Sequence, residues 1–196
     1  LDRSSAASDV YKRQALHLFV KALVISISWC IFVSTCYILE SRREMEEYSK
    51  YPVDIISDIA EETGMGMVCF LNLDTLETES VPGASYGSYE CGDFDEYYQE
   101  VYRKVEHWEN CVRIDPPKPG ESFGIVERFI LDCIPDDAGI KKRLWKAVSE
   151  RKPFRNFKYV IDGSEYRQKW FDFRRIQLER LVTDYLNSLD IDALAE

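Results

Sequence analysis

The sequence predicts a mostly helical α+β protein in which one N-terminal β-hairpin packs on about five helices. Apolar residues recur at helical spacing through most of the chain after residue 52. One stretch, Met67–Val81, instead places two apolar or alternating runs around a polar turn, which is typical of paired strands. Val112–Ile114 is a candidate third short strand. The 196 residues suit one ordinary domain with a tail.

Charge is divided along the chain rather than mixed. Residues 45–140 contain 22 acidic and 6 basic residues, whereas residues 141–180 contain 13 basic and 5 acidic ones. The net charge of −10 disfavours non-specific binding to nucleic acid or anionic lipid. The simplest use of this division is for the basic part to fold against the acidic part and neutralise it.

The first 44 residues are predicted to be a non-native leader, and residues 45–196 a single compact domain. Residues 4–14, SSAASDVYKRQ, resemble the translation of a sequencing adapter. Residues 22–39 are uncharged and apolar, so they would suit a membrane anchor if they were native. A purine-rich ribosome-binding site can encode Arg42-Arg43-Glu44. We therefore expect translation to start at Met45, with no membrane segment and a cytoplasmic location.

Cysteine spacing gives little support for a metal site. Four cysteines follow Met45, at positions 69, 91, 111 and 133. None belongs to a Cys-x-x-Cys pair, and His107 is the histidine left to join them. The sequence therefore predicts reduced thiols, no metal site and no cofactor.

Turn and cap signals place the elements of the acidic part. Pro52 begins a short helix that ends at Gly64, and Asn72 to Thr75 form the hairpin turn. A helix capped at Asp93 carries an apolar stripe that we expect in the core: Phe94, Tyr97, Tyr98, Val101, Val105 and Trp108. A helix capped at Ser122 is expected to bury residues 123, 126, 130 and 133. The next helix turns Leu144, Ala147 and Val148 inward and its Lys and Arg residues outward.

The block Pro153–Arg174 alternates basic and large aromatic residues. It predicts a helix that begins at Pro153, a break at residues 162–164, and a long last helix. Phe154, Phe157 and Ile161 share one face of the first helix, and the basic residues share the opposite face. The expected core residues are Phe154, Phe157, Trp170 and Phe173. The basic face is then an exposed ridge.

The candidate binding residues are cations of the same block: Arg151, Arg155, Lys158, Arg167 and Arg174. Arg174 lies within the apolar arc of the last helix, where an unpaired charge would cost several kcal/mol. The simpler interpretation is a structural bridge from Arg174 to a carboxylate of the acidic part. The alternative is that Arg174 and Arg167 line a cleft for an anionic ligand or acidic peptide. The planar fork of arginine suits both.

A hairpin turn, a helix motif, a Lys-Pro-Phe motif and a Trp-Phe-x-Phe-Arg motif occur along the chain in an order that resembles the bacterial Uncharacterised Protein Family 0158. The matching residues are Asn72 and Thr75; Phe123, Glu127, Phe129 and Ile130; Lys152, Pro153, Phe154, Phe157 and Lys158; and Trp170, Phe171, Phe173 and Arg174. The resemblance spans about Met45 to the C-terminus. It implies a small, mostly helical cytosolic protein without a known activity or cofactor. Many relatives have a glycine-rich step before the Phe pair, where this chain has residues 150–153.

The function favoured by these patterns is a non-catalytic protein–protein interaction or regulatory module with a basic ridge and an acidic face. Single-stranded RNA binding is the first alternative, because cations interleave with aromatic residues, although rings at core spacing would be unavailable for stacking. An enzyme of unknown class is the second. The sequence contains no P-loop, nucleophile elbow or metalloprotease motif to support an enzyme, and the position of His107 beside Trp108 suits a packing role.

Overall fold

A three-stranded antiparallel sheet lies among helices in the computed structural model, which describes Arg43, residues 47–83 and residues 92–193. The helices are α1 (Val53–Gly64), α2 (Gly92–Glu106), α3 (Pro119–Arg128), α4 (Gly139–Ser149), α5 (Pro153–Asp162) and α6 (Arg167–Ala193). The strands are β1 (Met67–Asn72), β2 (Thr78–Pro82) and β3 (Cys111–Ile114), in the order β2–β1–β3. The predicted mostly helical α+β fold is confirmed, and it includes the third strand.

The leader predicted for residues 1–44 lies outside the described residues, apart from Arg43. The same is true of the apolar segment 22–39 and of Cys91. Within the described ranges, no helix combines the length and apolar character needed to cross a membrane. The domain boundary at Met45 therefore stays a prediction.

Strand β1 is the middle strand of the sheet, and its two faces pack against two different clusters of apolar side chains. Val68 and Phe70 point to a small cluster with Val81 and two valines of α2, whereas Cys69 and Leu71 point to the main core. The side chains alternate between the two faces, as successive side chains in a strand must. This explains why β1 is an apolar run without polar alternation.

The hairpin turn depends on Asn72. Its side-chain Oδ1 accepts hydrogen bonds from the backbone N–H of Asp74 (2.9 Å) and of Thr75 (3.2 Å). This bond pattern lets an asparagine close a turn locally. Leu76 completes the turn with a positive φ of 60°. The predicted Asn-x-x-Thr turn is therefore present, and its first residue is buried.

Helix α3 begins at Pro119, three residues before the predicted cap at Ser122. Proline fits the first helical position because its missing N–H needs no partner there. The Glu121 carboxylate then accepts the Lys118 backbone N–H at 2.7 Å, which stabilises this start. The proline-rich loop thus ends earlier than its composition suggested.

The end of α3 changes to a π-helical turn, Phe129–Cys133. This wider turn shifts the phase of the side chains, so that Phe129 and Ile130 are both fully buried. Uniform α-helical spacing had predicted residues 123, 126, 130 and 133 in the core: Val126 and Ile130 are buried, whereas Phe123 and Cys133 are only half-buried. Phe129 becomes the centre of the main core, a role that the sequence pattern did not reveal.

The long helix α6 packs along α1 and carries a buried carboxylate. Glu179 is 1% exposed, and its Oε1 accepts a hydrogen bond from Ser57 Oγ at 3.0 Å. Within the part of the chain that is described, its Oε2 has no hydrogen-bond partner. This contact links the first and last described helices across the core.

Candidate functional site

Helices α4 and α5 pack against each other and carry the basic part of the chain on their outer surface. A backbone step joins them: Lys152 adopts a left-handed conformation (φ 66°, ψ 56°), and Pro153 starts α5. We define the basic ridge as the exposed cations of α4, α5 and this connection. Its members are Lys142, Arg143, Lys146, Arg151, Lys152, Arg155 and Lys158.

The basic ridge is not neutralised by the described acidic residues. The ion pairs among the described residues join other cations to carboxylates: Lys104 to Glu77 and Glu79, Arg113 to Asp115, Lys141 to Asp136, and Arg167 to Asp162. No member of the ridge forms an ion pair with any residue in ranges 47–83 and 96–189, where the structure describes side chains. The simple expectation that the two charged parts neutralise each other is therefore wrong for the ridge.

The inner face of the same block forms an aromatic cluster around Phe129. The ring centroids of Phe157 and Trp170 lie 4.8 Å apart, and those of Phe129 and Trp170 lie 5.1 Å apart, with the rings tilted steeply. Phe173 also contacts Phe129, at 5.6 Å. Phe157 and Phe173 are buried, and Trp170 is half-buried at the edge of the cluster. Such edge-to-face packing favours one fixed arrangement of rings.

Phe154 was predicted to be a core residue, and that prediction is wrong. Its side chain is 44% exposed and touches the edge of the aromatic system through Phe123, at 6.1 Å between centroids. It shares a helical face with Phe157, but it lies one turn nearer the start of α5, where the core has ended. Tyr97 in the predicted stripe of α2 is likewise exposed, at 57%.

Arg167 does not accompany Arg174 in a cleft. Its side chain is exposed, pairs with Asp162 at 3.3 Å, and stacks over the Phe171 ring at 4.8 Å. Arg151, Arg155 and Lys158 belong to the basic ridge. The five predicted binding residues therefore separate into three places rather than one site.

Arg174 is half-buried, but its partner is not a carboxylate. Its Nη2 donates a 2.7 Å hydrogen bond to the backbone carbonyl of Gly64, at the end of α1. Among the described residues it forms no ion pair. The predicted bridge to a carboxylate is therefore not formed with any residue whose side chain is described, and desolvation lowers the pKa of the Arg174 guanidinium.

A groove of about 430 Å³ opens beside Arg174, and we name it the Arg174 groove. Its lining is Thr63, Gly64, Met65, Gly66, Pro116, Pro117, Pro119, Ser122, Ile125, Val126, Phe154, Trp170, Arg174 and Leu178. Arg174 is the charged member of this otherwise apolar or small lining. Sequence reasoning identified Arg174 but missed the other lining residues, several of which belong to the end of α1 and the proline-rich loop.

The acidic part forms a depression of about 280 Å³ between α1 and β2. Its carboxylates are Asp58, Glu61, Glu62 and Glu79. Local groups contact two of them: Ser80 Oγ donates to Glu62 at 3.1 Å, and Lys104 Nζ donates to Glu79 at 2.7 Å. This region satisfies part of its charge internally, unlike the basic ridge.

The remaining reactive groups lie apart from one another. Cys69, Cys111 and Cys133 are free thiols, and burial, with a smaller contribution from Glu62, raises the pKa of Cys69 to about 12. His107 Nδ1 lies 2.6 Å from the Arg103 carbonyl, to which it can only donate. In the ranges that the structure describes, no three His, Cys, Asp or Glu side chains are grouped to hold a metal ion.

Comparison with known proteins gives one match. Residues 88–196, more than half of the chain, match the model of an uncharacterised protein family, UPF0158. The match includes the basic ridge and Phe129, but it begins after the hairpin with Asn72 and Thr75. No curated protein and no solved structure matches the chain.

Proposed function

The chain belongs to the uncharacterised protein family UPF0158, and we propose that it is a non-catalytic cytoplasmic module that binds an acidic surface of a partner protein through the basic ridge. The observation that carries this proposal is the set of seven exposed cations without an ionic partner among the described residues. Cations close together on a helical surface repel one another by a few tenths of a kcal/mol per pair. An external anion would offset that cost.

Electrostatic complementarity supports a protein partner. Unpaired charges at the rim of an interface speed association and select partners of the opposite sign. The four carboxylates of the acidic depression repel further anions, so a compact acidic patch fits this molecule better than a long polyanion does. The acidic face would keep such a partner on the ridge side.

Single-stranded RNA is a second candidate because of Tyr159. Its ring is 83% exposed and lies next to Lys158, so it could stack on a base. The other exposed rings of the block are less open: Phe171 is covered by Arg167, and Phe154 contacts Phe123. One open ring supports at most one stacked base. The protein partner is therefore favoured.

A binding measurement with matched variants tests the proposal. The probes are a fluorescent glutamate homopolymer and a fluorescent uridine oligonucleotide of equal charge, titrated with the full chain at low ionic strength. The ridge variant carries K142Q, R143Q, K146Q, R155Q and K158Q. The control carries R103Q, R113Q, K118Q, R128Q and R175Q, which removes the same charge from exposed positions outside the ridge.

The proposal predicts that the ridge variant binds the glutamate polymer at least about tenfold more weakly than wild type, a loss of about 1.4 kcal/mol. The control should stay within about twofold of wild type. Equal losses in both variants would show that only net charge matters, and would overturn the proposal. Tighter binding of the uridine oligonucleotide, reduced by Y159A, would establish the second candidate instead.

A further inference from the structure

The Arg174 groove combines one cation with apolar walls. The guanidinium has five N–H donors, and one bond from Nη2 goes to the Gly64 carbonyl. The hydrogen bonds among the described residues use no other donor of this group. Arg174 thus lies half-buried with most of its donors unused by the described residues, beside a groove of about 430 Å³ whose described lining includes no acidic side chain.

The walls specify what should accompany an anion in this groove. Trp170 and Phe154 contribute ring surface, with Phe154 44% exposed and Met65 52% exposed. Three prolines, Pro116, Pro117 and Pro119, form the opposite side. A bare phosphate would leave this apolar surface in water, whereas a large apolar side chain would cover it. A single planar guanidinium matches a single carboxylate, with two parallel hydrogen bonds.

The groove continues beyond Arg174. A second depression of about 250 Å³ lies next to it and shares Thr63, Pro116, Pro117 and Leu178 with its lining. The trough therefore runs past the proline-rich loop towards Tyr185, and Asp115, Lys118 and Glu121 also line this second depression, so the acidic residue of an occupant belongs at the Arg174 end. An extended chain segment would fill both depressions, while a small carboxylate would fill one.

We propose that the Arg174 groove binds an extended segment of the partner protein, in which a large apolar side chain lies next to an acidic one whose carboxylate pairs with Arg174. This inference rests on the proposed function in that the occupant is a protein. It adds a site separate from the basic ridge, and it names the residues that the partner must present.

The test uses capped peptides and nuclear magnetic resonance of the full chain. The probe is Gly-Ser-Phe-Glu-Ser-Gly, and its matched control has Gln in place of Glu. The indole N–H signal of Trp170, assigned with W170F, reports occupation of the groove, and the indole signal of Trp145, on α4, reports binding elsewhere. We expect the Glu peptide to shift the Trp170 signal with an affinity about tenfold higher than that of the Gln peptide.

Variants separate this inference from the ridge. R174Q should remove the preference for Glu over Gln, while R175Q, at the exposed neighbouring position, should leave it unchanged. R174K keeps the charge but loses the planar fork, so it should retain only part of the preference for Glu over Gln. It replaces R174Q in the test if R174Q does not fold. The ridge variant should keep the full preference, since no ridge residue lines the groove.

Three results would overturn the inference. Glu and Gln peptides could bind equally, R174Q could keep the preference, or 3-phenylpropionate could match the Glu peptide in affinity. The last result would make the groove a small-carboxylate site. The ridge variant is also tested with the glutamate polymer. If it loses polymer binding but keeps the preference for the Glu peptide, the ridge and the Arg174 groove are separate sites.

Discussion

The two faces of helix α5 differ in what they contribute to the protein. On the inner face, Phe157 and Ile161 are 2% and 0% exposed, and they join the aromatic cluster around Phe129. On the outer face, Arg155, Lys158 and Tyr159 are exposed, and neither of the two cations forms an ion pair with a described residue. The comparison teaches that one short helix can bury apolar side chains on one face and leave cations without ionic partners on the other, where we propose that a partner binds.

The largest effect is expected from truncating Phe157, and Phe154, on the same face of α5 but outside the core, provides the comparison. F157A removes a ring that lies 4.8 Å from Trp170 in a fully packed cluster, and should lower the free energy of unfolding by about 3–5 kcal/mol. F154A removes a ring that is 44% exposed, and should cost about 1 kcal/mol. Urea denaturation followed by tryptophan fluorescence measures both. Equal costs would contradict the conclusion that the core ends between Phe157 and Phe154.

A smaller effect is expected at Gly64, where α1 meets α6. A Cβ at this position would lie 2.7 Å from Leu178 Cδ1 and 3.4 Å from Arg174 Nη2. Because the buried Leu178 side chain would have to shift away from the new methyl group, G64A should cost about 1–3 kcal/mol. It should also weaken the preference of the Arg174 groove for the Glu peptide.

Gly163 provides the control for that substitution. It follows α5, has a φ of −89°, and a Cβ there would meet nothing within 4 Å. G163A should therefore leave the urea midpoint unchanged or raise it slightly. A destabilisation by G163A as large as that by G64A would contradict the steric explanation.

A smaller effect, an increase in stability, is expected from replacing Lys152 in the connection before α5. Lys152 has a φ of 66°, a left-handed conformation that strains most residues and that glycine adopts without cost. K152G should therefore raise the free energy of unfolding by up to about 1 kcal/mol, while K158G, inside α5, should lower it by about 1 kcal/mol. A fall in stability with K152G would show that the side chain of Lys152 is needed.

Local signals were sufficient to predict several elements from the sequence. Pro52 and Gly64 bracket α1 to within one residue, because proline fits a helix start and glycine a helix end. Asn72 predicted the hairpin turn through a bond within three residues. Helical periodicity placed Phe157 and Ile161 on one face. Each of these features depends on chemistry within one or two turns of chain.

Features set by distant residues could not be predicted in the same way. The partner of Arg174 is a backbone carbonyl at Gly64, which carries no side-chain signal in the sequence. Phe154 and Phe157 have equivalent spacing, and only the position of α3 decides which of them is buried. The π-helical turn at Phe129–Cys133 moves side chains out of α-helical phase, so uniform periodicity identified Ile130 but missed Phe129 and assigned Cys133 to the core.

The most direct test of the account is the stability of the ridge variant, with K142Q, R143Q, K146Q, R155Q and K158Q, in urea at low salt. If the basic ridge has no ionic partner within the fold, removing its charges should change the free energy of unfolding by no more than about 0.5 kcal/mol, or raise it as repulsion is relieved. A fall of about 2 kcal/mol or more would contradict the account, because it would show that these cations stabilise the fold itself.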